Sequence, residues 1–167
     1  MRLKFELLAK HHERSSFDSG DAVLDDWFHK RAGQDDRRDV ARVFVALDGE
    51  RIAGFYSLNA FSVGLGTLPE DLSAKLPRYD AVPAALIGRL ARDERYRGKG
   101  VGEALLTDAV RRALFAAKSL AIYVIVVDAK NAQASEFYRT YGFVPFPLNP
   151  ERLFVTAANA AAAFDRE

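Results

Sequence analysis

The stretch Arg95-Tyr96-Arg97-Gly98-Lys99-Gly100-Val101-Gly102 constrains this chain more than any other. Three glycines at alternate positions sit between a strand-like apolar run, Ala84 to Ala91, and a helix-like run, Val101 to Ala117. Glycine tolerates the backbone conformations of a tight turn. Placed at a helix N-terminus, such a turn exposes several N–H groups where the helix dipole also favours an anion. The loop is therefore either a surface turn or a phosphate cradle. Spacing excludes two better-known cradles. A dinucleotide fingerprint requires G-x-G-x-x-G, and here the third glycine comes one position early. A P-loop requires Gly-Lys followed by Ser or Thr, and Lys99 is followed by Gly100.

Length decides how much fold can surround the loop. At 167 residues and 49% hydrophobic, the chain suits one well-buried domain over residues 1–167. With 24 basic against 23 acidic side chains the net charge is +1, so an anionic partner must be met by a local patch. The absence of cysteine excludes disulfides and thiolate metal sites and suits a reducing cytosol; no metal is expected. No apolar run approaches the roughly 20 residues of a membrane span. Met1-Arg2-Leu3-Lys4 does not lead into a signal-peptide core. The expectation is a soluble cytoplasmic protein without membrane contact.

Along the chain, Leu3 to Leu8 alternates like a short strand. Phe17-Asp18-Ser19-Gly20-Asp21 carries turn residues and a helix cap, followed by Leu24, Trp27, Phe28 and Arg31 at helical spacing. Trp27 and Phe28 read as core aromatics. Residues 30–42 mix both charges and read as a solvated helix face. Val43 to Leu47 and Ile52 to Ala60 form two strands around the turn Asp48-Gly49-Glu50. Phe61 to Ala81 has little period beyond a short helix at Pro69 to Leu76, and is the place for a substrate-side loop. Val82 to Ala91 is hydrophobic enough for a central strand, with Pro83 tolerable near its start. Helix 101–117 buries Leu105, Leu106, Ala109, Val110, Ala113 and Leu114. Ala121 to Val127 gives a further strand, Asn131 to Tyr141 a second long helix, and Gly142 its left-handed cap. Phe143-Val144 begin another extended piece and Arg152 to Thr156 a closing strand. The Ala-rich tail 157–167 is a frayed helix or disordered.

These features together carry a resemblance. The strand, the Arg95-x-x-Gly98-x-Gly100 loop, the long helix, the next strand, Asn131, then Glu136-Phe137-Tyr138 and Tyr141-Gly142-Phe143 resemble the acetyl-CoA core of the GNAT superfamily of N-acetyltransferases, over roughly residues 40–145. Further features are similar to the acetyltransferase toxins of bacterial toxin–antitoxin pairs: Phe17-x-Ser19-Gly20 with Leu24-Asp25-x-Trp27, Gly54-Phe55-Tyr56-Ser57-Leu58, and Val82-Pro83 through Gly88-Arg89-Leu90-Ala91. Two positions depart from that subgroup. Ser19 stands where cysteine is frequent, and Arg92 where a hydrophobic residue is frequent.

The resemblance implies an α/β (α+β) fold: a single domain with a mixed, mostly antiparallel sheet whose central strands, Ala84 to Ala91 and Ala121 to Val127, splay apart, flanked by helices. It implies acetyl-CoA as cofactor, its pyrophosphate on the amides from Arg97 through Gly98, Lys99, Gly100 and Val101 to Gly102. Arg95, Arg97 and Lys99 add charge for the phosphates or are solvated. Leu90 and Ala91 supply backbone contacts to the thioester oxygen, with Arg92 beside them. Tyr138 matches the general acid that protonates the leaving sulfur. Asn131, Ser135 and Tyr138 fall at i, i+4 and i+7, so one helix face presents all three towards the cofactor, while Phe137 and Tyr141 lie off that face and suit packing.

No general base is evident. His11 and His12 qualify by chemistry alone, and Asp93 and Glu94 either orient an amine or flank the turn. An α-amine with a pKa near about 8 is partly neutral in the cell, whereas a lysine at about 10.4 is not, so an aminoacyl ester needs a base less. The toxin subgroup implies aminoacyl-tRNA as substrate, with translation blocked, a small DNA-binding antitoxin as inhibitor, and a homodimer. Arg37, Arg38, Arg78, Arg89 and Arg92 are the candidates for RNA contacts. Two alternatives are a GNAT enzyme acting on a small amine or a protein, and a non-catalytic binding module.

Overall fold

The computed structural model of the chain describes residues 1–164. In order, the elements are β1 (Lys4–Leu7), α1 (Ala22–Lys30), α2 (Ala32–Arg37), β2 (Arg42–Asp48), β3 (Arg51–Gly64), α3 (Glu70–Ser73), β4 (Ala81–Arg92), α4 (Val101–Ala116), β5 (Val124–Asp128), α5 (Ala132–Thr140), β6 (Val144–Phe146), β7 (Asn149–Thr156) and α6 (Ala157–Phe164). The seven strands form one sheet in the order β1-β2-β3-β4-β5-β7-β6. β4 and β5 are parallel, while β1–β2, β2–β3, β5–β7 and β6–β7 are antiparallel. This is the mixed, mostly antiparallel sheet with helices that the resemblance implies. The β4–β5 ladder ends at Ile87↔Val127, while β4 continues to Arg92 and β5 stops at Asp128. No described helix is long and apolar enough to cross a membrane.

Contacts resolve two compact units, and β3, β4 and α4 each run from one into the other. The first comprises Met1–Asn59 and Gly88–Ala109; the second comprises Ala60–Ile87 and the chain from Val110 onward. In the first, alternation in β2 puts Val43, Val45 and Leu47 on one side, where they meet Phe17, Trp27, Phe28, Ile52, Phe55 and Ala91. Phe28 stacks on Phe55 at 4.1 Å, and Phe17 meets both rings edge-on. Burying each such ring stabilises the fold by about 1.5–3 kcal/mol. Trp27 and Phe28 are thus core aromatics, as their spacing suggests. The Asp21 carboxylate caps α1 by accepting the Val23 and Leu24 amides at 3.0 and 3.1 Å.

The charged run 30–42 differs from a purely solvated face. Asp35 accepts the Trp27 indole N–H at 2.9 Å, and Asp36 accepts the Val43 amide at 2.9 Å. Two of its carboxylates therefore fasten α2 to the core tryptophan and to β2. Arg37 and Arg38 remain exposed.

In the second unit, Val63, Leu68, Val82, Ala84, Val124, Val126, Phe146 and Phe154 form the core. β3 runs to Gly64 instead of ending near Ala60, because Phe61 and Val63 keep the alternation that the turn-forming residues around them obscure. The short helix lies within the expected stretch but is one turn long, Glu70–Ser73. β5 starts at Val124 rather than Ala121; before it, Tyr123 donates its N–H to Pro83 and accepts one from Ala157. β7 starts three residues earlier than expected, at Asn149. The tail is ordered as α6: Ala160 and Phe164 are buried, and Arg111 Nε donates to the Phe164 carbonyl at 3.1 Å. The last part of the expected tail, residues 165–167, lies outside the described residues.

Candidate functional site

The glycine loop is held from below and open above. Asp93 caps a 3₁₀ turn over Glu94–Tyr96, and the Lys99 amide closes back onto the Tyr96 carbonyl at 3.2 Å. Gly98 and Gly100 have φ of +74° and +77°, values that disfavour any side chain, and nothing lies within 4 Å of where a Cβ would stand on either. α4 then begins at fully buried Val101. Its first-turn N–H groups have no intrahelical acceptor. Cβ-free positions with open space above them, beside unpaired amides, fit a pyrophosphate.

The cations beside the loop are largely committed. Arg95 donates from Nε to Asp93 Oδ1 and from Nη2 to Oδ2, each at 2.9 Å. Arg97 pairs with Glu94 at 2.7 Å, and Lys99 lies 5.7 Å from the Tyr96 ring centroid. The cradle is therefore a backbone device more than a charge cluster. Asp93 and Glu94 flank the turn. The Asp93 carboxylate is 1% exposed and also accepts the Asp18 and Arg95 amides, at 3.1 and 2.9 Å. Burial alone would raise its pKa; the hydrogen bonds from Arg95 and Asp18 outweigh that and hold the carboxyl below its ordinary range.

Gly54 is a residue whose weight the sequence conceals. A Cβ there would stand 2.7 Å from Leu105 Cδ1 and 2.9 Å from the Ala91 carbonyl oxygen. Only glycine lets α4 and the end of β4 approach β3 so closely. Ala91 is consequently buried, Leu90 is half-buried, and the Arg89 amide donates to Ser57 Oγ at 3.0 Å. The Arg89 guanidinium lies 4.0 Å over the Trp27 ring. Burial lowers its pKa, against the pull of Asp35. Arg92 is half-buried beside the Asp93 carbonyl. Arg37, Arg38, Arg89 and Arg92 belong to the first unit; Arg78, exposed, belongs to the second.

The second unit carries α5. Asn131 precedes this helix, and its Oδ1 accepts the Ala134 amide at 2.8 Å. Asn131 is thus the N-cap just before the helix, as its residue type favours. Ser135 is half-buried. Tyr138 is 5% exposed, with Phe137 and Phe143 edge-on at 5.4 and 5.8 Å. Among the described residues no buried side-chain oxygen lacks a partner, and none of them hydrogen-bonds the Tyr138 hydroxyl, so that oxygen reaches the surface. Burial first, then the charge of Asp128, push its pKa well above the tyrosine range. The phenol stays protonated and able to donate. Gly142, φ +95°, ends the helix as expected. Phe137 and Tyr141 pack on each other at 5.1 Å.

Among the described residues, Glu6, His11 and His12 bring potential metal-ligand atoms within 4.8 Å of one another. Two of the three are hydrogen-bonded to each other. His12 Nδ1 accepts the Ala9 amide at 2.8 Å, so the proton sits on Nε2 and is donated to Glu6 at 2.5 Å. Both ring nitrogens of His12 are thus engaged.

Comparison with known proteins fits this geometry. Residues 39–145 match the acetyltransferase (GNAT) domain family. The probable toxin TacT of Sinorhizobium fredii is 36% identical over 156 residues, covering 88% of this chain and 86% of that protein. The tRNA-acetylating toxin of Mycobacterium tuberculosis is 36% identical over 148 residues, covering 89% and 88%. AtaT complexed with acetyl-methionyl-tRNA has a TM-score of 0.89 at 25% identity, covering 98% of this chain and 99% of that one. AtaTR bound with acetyl-CoA has a TM-score of 0.85 at 25% identity, covering 97% and 98%.

Proposed function

The chain belongs to the GNAT family of acetyl-CoA-dependent acetyltransferases, and on that premise we propose that it is a toxin that acetylates the α-amine of an amino acid esterified to tRNA and so blocks translation. The observation that carries the reading is the open cradle of Gly98 and Gly100 at the start of α4. It occurs in a chain that is similar over nearly nine tenths of its length to a tRNA-acetylating toxin.

Each residue has a defined task. The loop from Arg97 to Gly102 holds the pyrophosphate, the Arg97 and Lys99 amides being taken by the Glu94 and Tyr96 carbonyls and their side chains standing at the rim. The coenzyme supplies a thioester carbonyl open to attack by a neutral amine. Backbone amides at Leu90 and Ala91 offer hydrogen bonds to the oxygen on which charge develops. Tyr138 keeps a proton on its hydroxyl for the departing sulfur, which its raised pKa guarantees at neutral pH. No side chain is assigned as base: His12 is bonded to Ala9 and Glu6, and Asp93 to Arg95. An α-amine of pKa about 8 supplies its own neutral fraction.

Arg37, Arg38, Arg78, Arg89 and Arg92 offer positive charge to the RNA backbone. A cytoplasmic homodimer held in check by a small DNA-binding antitoxin completes the reading. The test is labelled acetyl-CoA mixed with total aminoacyl-tRNA. Label recovered as N-acetyl-aminoacyl-tRNA, with growth arrest on expression without antitoxin, is the expected result. Transfer only to a small amine or a protein, with charged tRNA inert, overturns it.

A further inference from the structure

Asp93 is a buried charge that the acetyl-transfer chemistry leaves unused. Its carboxylate, 1% exposed, accepts four N–H groups: the Asp18 amide at 3.1 Å, the Arg95 amide at 2.9 Å, and Arg95 Nε and Nη2 at 2.9 Å each. Its backbone is tied as well. The Asp93 amide donates to the Ala53 carbonyl of β3 at 2.9 Å, and the Asp93 carbonyl accepts the Tyr96 amide at 3.0 Å. A carboxylate buried without such donors would be costly, so this one holds its neighbours to a single arrangement.

One neighbour is a fixed platform. Segment 16–20 is fastened to α1 and the core: Phe17 packs edge-on against Phe28 and Phe55 at 5.0 and 5.4 Å, His29 Nε2 donates to the Phe17 carbonyl at 2.9 Å, and the Ser19 hydroxyl donates to Asp25 at 2.7 Å. The other neighbour is the turn that leads into the cradle. There the Glu94 amide donates to the Asp18 carbonyl at 2.8 Å, and Gly20 stands so close that a Cβ on it would lie 2.7 Å from Glu94 Oε1. From Asp93 the turn is linked step by step, the Arg97 amide to the Glu94 carbonyl and the Lys99 amide to the Tyr96 carbonyl, each at 3.2 Å. Gly98 and Gly100 have no side chains to hold them, and glycine's backbone freedom makes their conformation costly to fix. The shape of the cradle is therefore set from its base.

We propose that Asp93 is a positioning residue for acetyl-CoA, acting by clamping segment 16–20 onto the 93–97 turn. The inference rests on the reading of the 97–102 loop as the pyrophosphate seat, and adds the residue that sets the seat's shape and the segment on which that shape depends. Buried and fully bonded, the carboxylate works through the backbone rather than by touching the coenzyme. A binding group misplaced by about 1 Å loses up to about 100-fold. The transfer step itself is assigned to other residues, so binding should suffer and turnover at saturation should not. Linkage makes the effect reciprocal: coenzyme in the cradle holds the clamp shut by the factor with which the clamp favours the coenzyme.

The experiment compares Asp93→Ala with Asp93→Ser, whose hydroxyl still caps the Arg95 amide but leaves the Asp18 amide without its acceptor. Both should bind acetyl-CoA about 5- to 150-fold more weakly by calorimetry. KM for acetyl-CoA should rise in step, while kcat on aminoacyl-tRNA at saturating acetyl-CoA stays within about threefold of the native chain. A second arm needs no variant to fold: in the native chain, saturating acetyl-CoA should slow hydrogen exchange at the Asp18 and Glu94 amides by about the same 5- to 150-fold factor. Native affinity in Asp93→Ala overturns the proposal. So does native affinity in Asp93→Ser alone, which would mean that a capped turn suffices without the clamp, and so does unchanged exchange at both amides with coenzyme bound. Affinity and kcat falling together, with a lowered denaturation midpoint, would make Asp93 a structural residue only and equally overturn it. Gly100→Ala separates this inference from the reading beneath it. If that variant also binds acetyl-CoA like the native chain, the loop is not the pyrophosphate seat and both fail; if it binds weakly while the Asp93 variants bind normally, the positioning role alone is wrong.

Discussion

The glycine loop of the first unit and the Tyr138 helix of the second are built by opposite means. The loop works through what its side chains lack: Gly98 and Gly100 adopt positive φ, and its neighbours Arg95 and Arg97 are taken up by Asp93 and Glu94. The Tyr138 region works through what burial does to a side chain, raising a phenol far above its ordinary pKa. Backbone recognition depends on conformation and is lost by adding atoms. Side-chain chemistry depends on environment and is lost by removing one.

That contrast breaks most sharply at Tyr138. Tyr138→Phe removes the proton and little else, so kcat should fall about 100-fold while acetyl-CoA affinity by calorimetry holds. A change of less than about threefold would demote the phenol to a packing residue. Adding one carbon in the first unit should act through structure instead. Gly54→Ala pushes against Leu105 and the Ala91 carbonyl and should cost about 1–3 kcal/mol by chemical denaturation. An unchanged midpoint would mean that α4 shifts freely.

A smaller effect separates the cradle from an ordinary turn. Gly100→Ala and Gly49→Ala both place a side chain at positive φ with open space around it, so each should cost about 1–2 kcal/mol of stability. Only the first should also weaken acetyl-CoA binding, by about tenfold for each 1.4 kcal/mol lost; equal affinities in the two variants would make the loop a plain turn. The mildest test is pH. Asp93 has a lowered pKa, so its contribution to stability is present above the ordinary aspartate pKa of about 3.9 and is lost as pH falls through the folded value. Denaturation midpoints of the native chain and Asp93→Asn should converge in acid. The Tyr138 phenol, shifted upward, should add no descending limb to the rate profile below about pH 10, while rates rise as the α-amine of pKa about 8 loses its proton.

Local pattern made much of this legible. Alternation located the strands, Asp21 and Gly142 announced helix ends, and the spacing of Gly98 and Gly100 placed the positive-φ turn before α4, because each depends on a few neighbouring residues. Asn131 shows the limit: its spacing reads it as the first residue of the helix, whereas it stands just before α5 as the N-cap, its side-chain oxygen accepting the Ala134 amide. The end of β3 was hidden for a related reason. Glycines that mark turns in isolation became tolerable in a strand once Phe61 and Val63 had a core to enter.

The sequence by itself determined which backbone positions must bend and which faces must be apolar, since glycine's missing Cβ and the periods of helix and strand are properties of the chain alone. Only the tertiary structure decided the electrostatics and the fine fit. Asp93 meets the amide of Asp18 from 75 positions away, Gly54 meets Leu105 and Ala91, and Arg152 closes over Asp128 beside a pocket built from β3, β6 and β7. Burial, proximity of charge and cavity volume depend on which distant residues share a space, and no local pattern encodes that partnership.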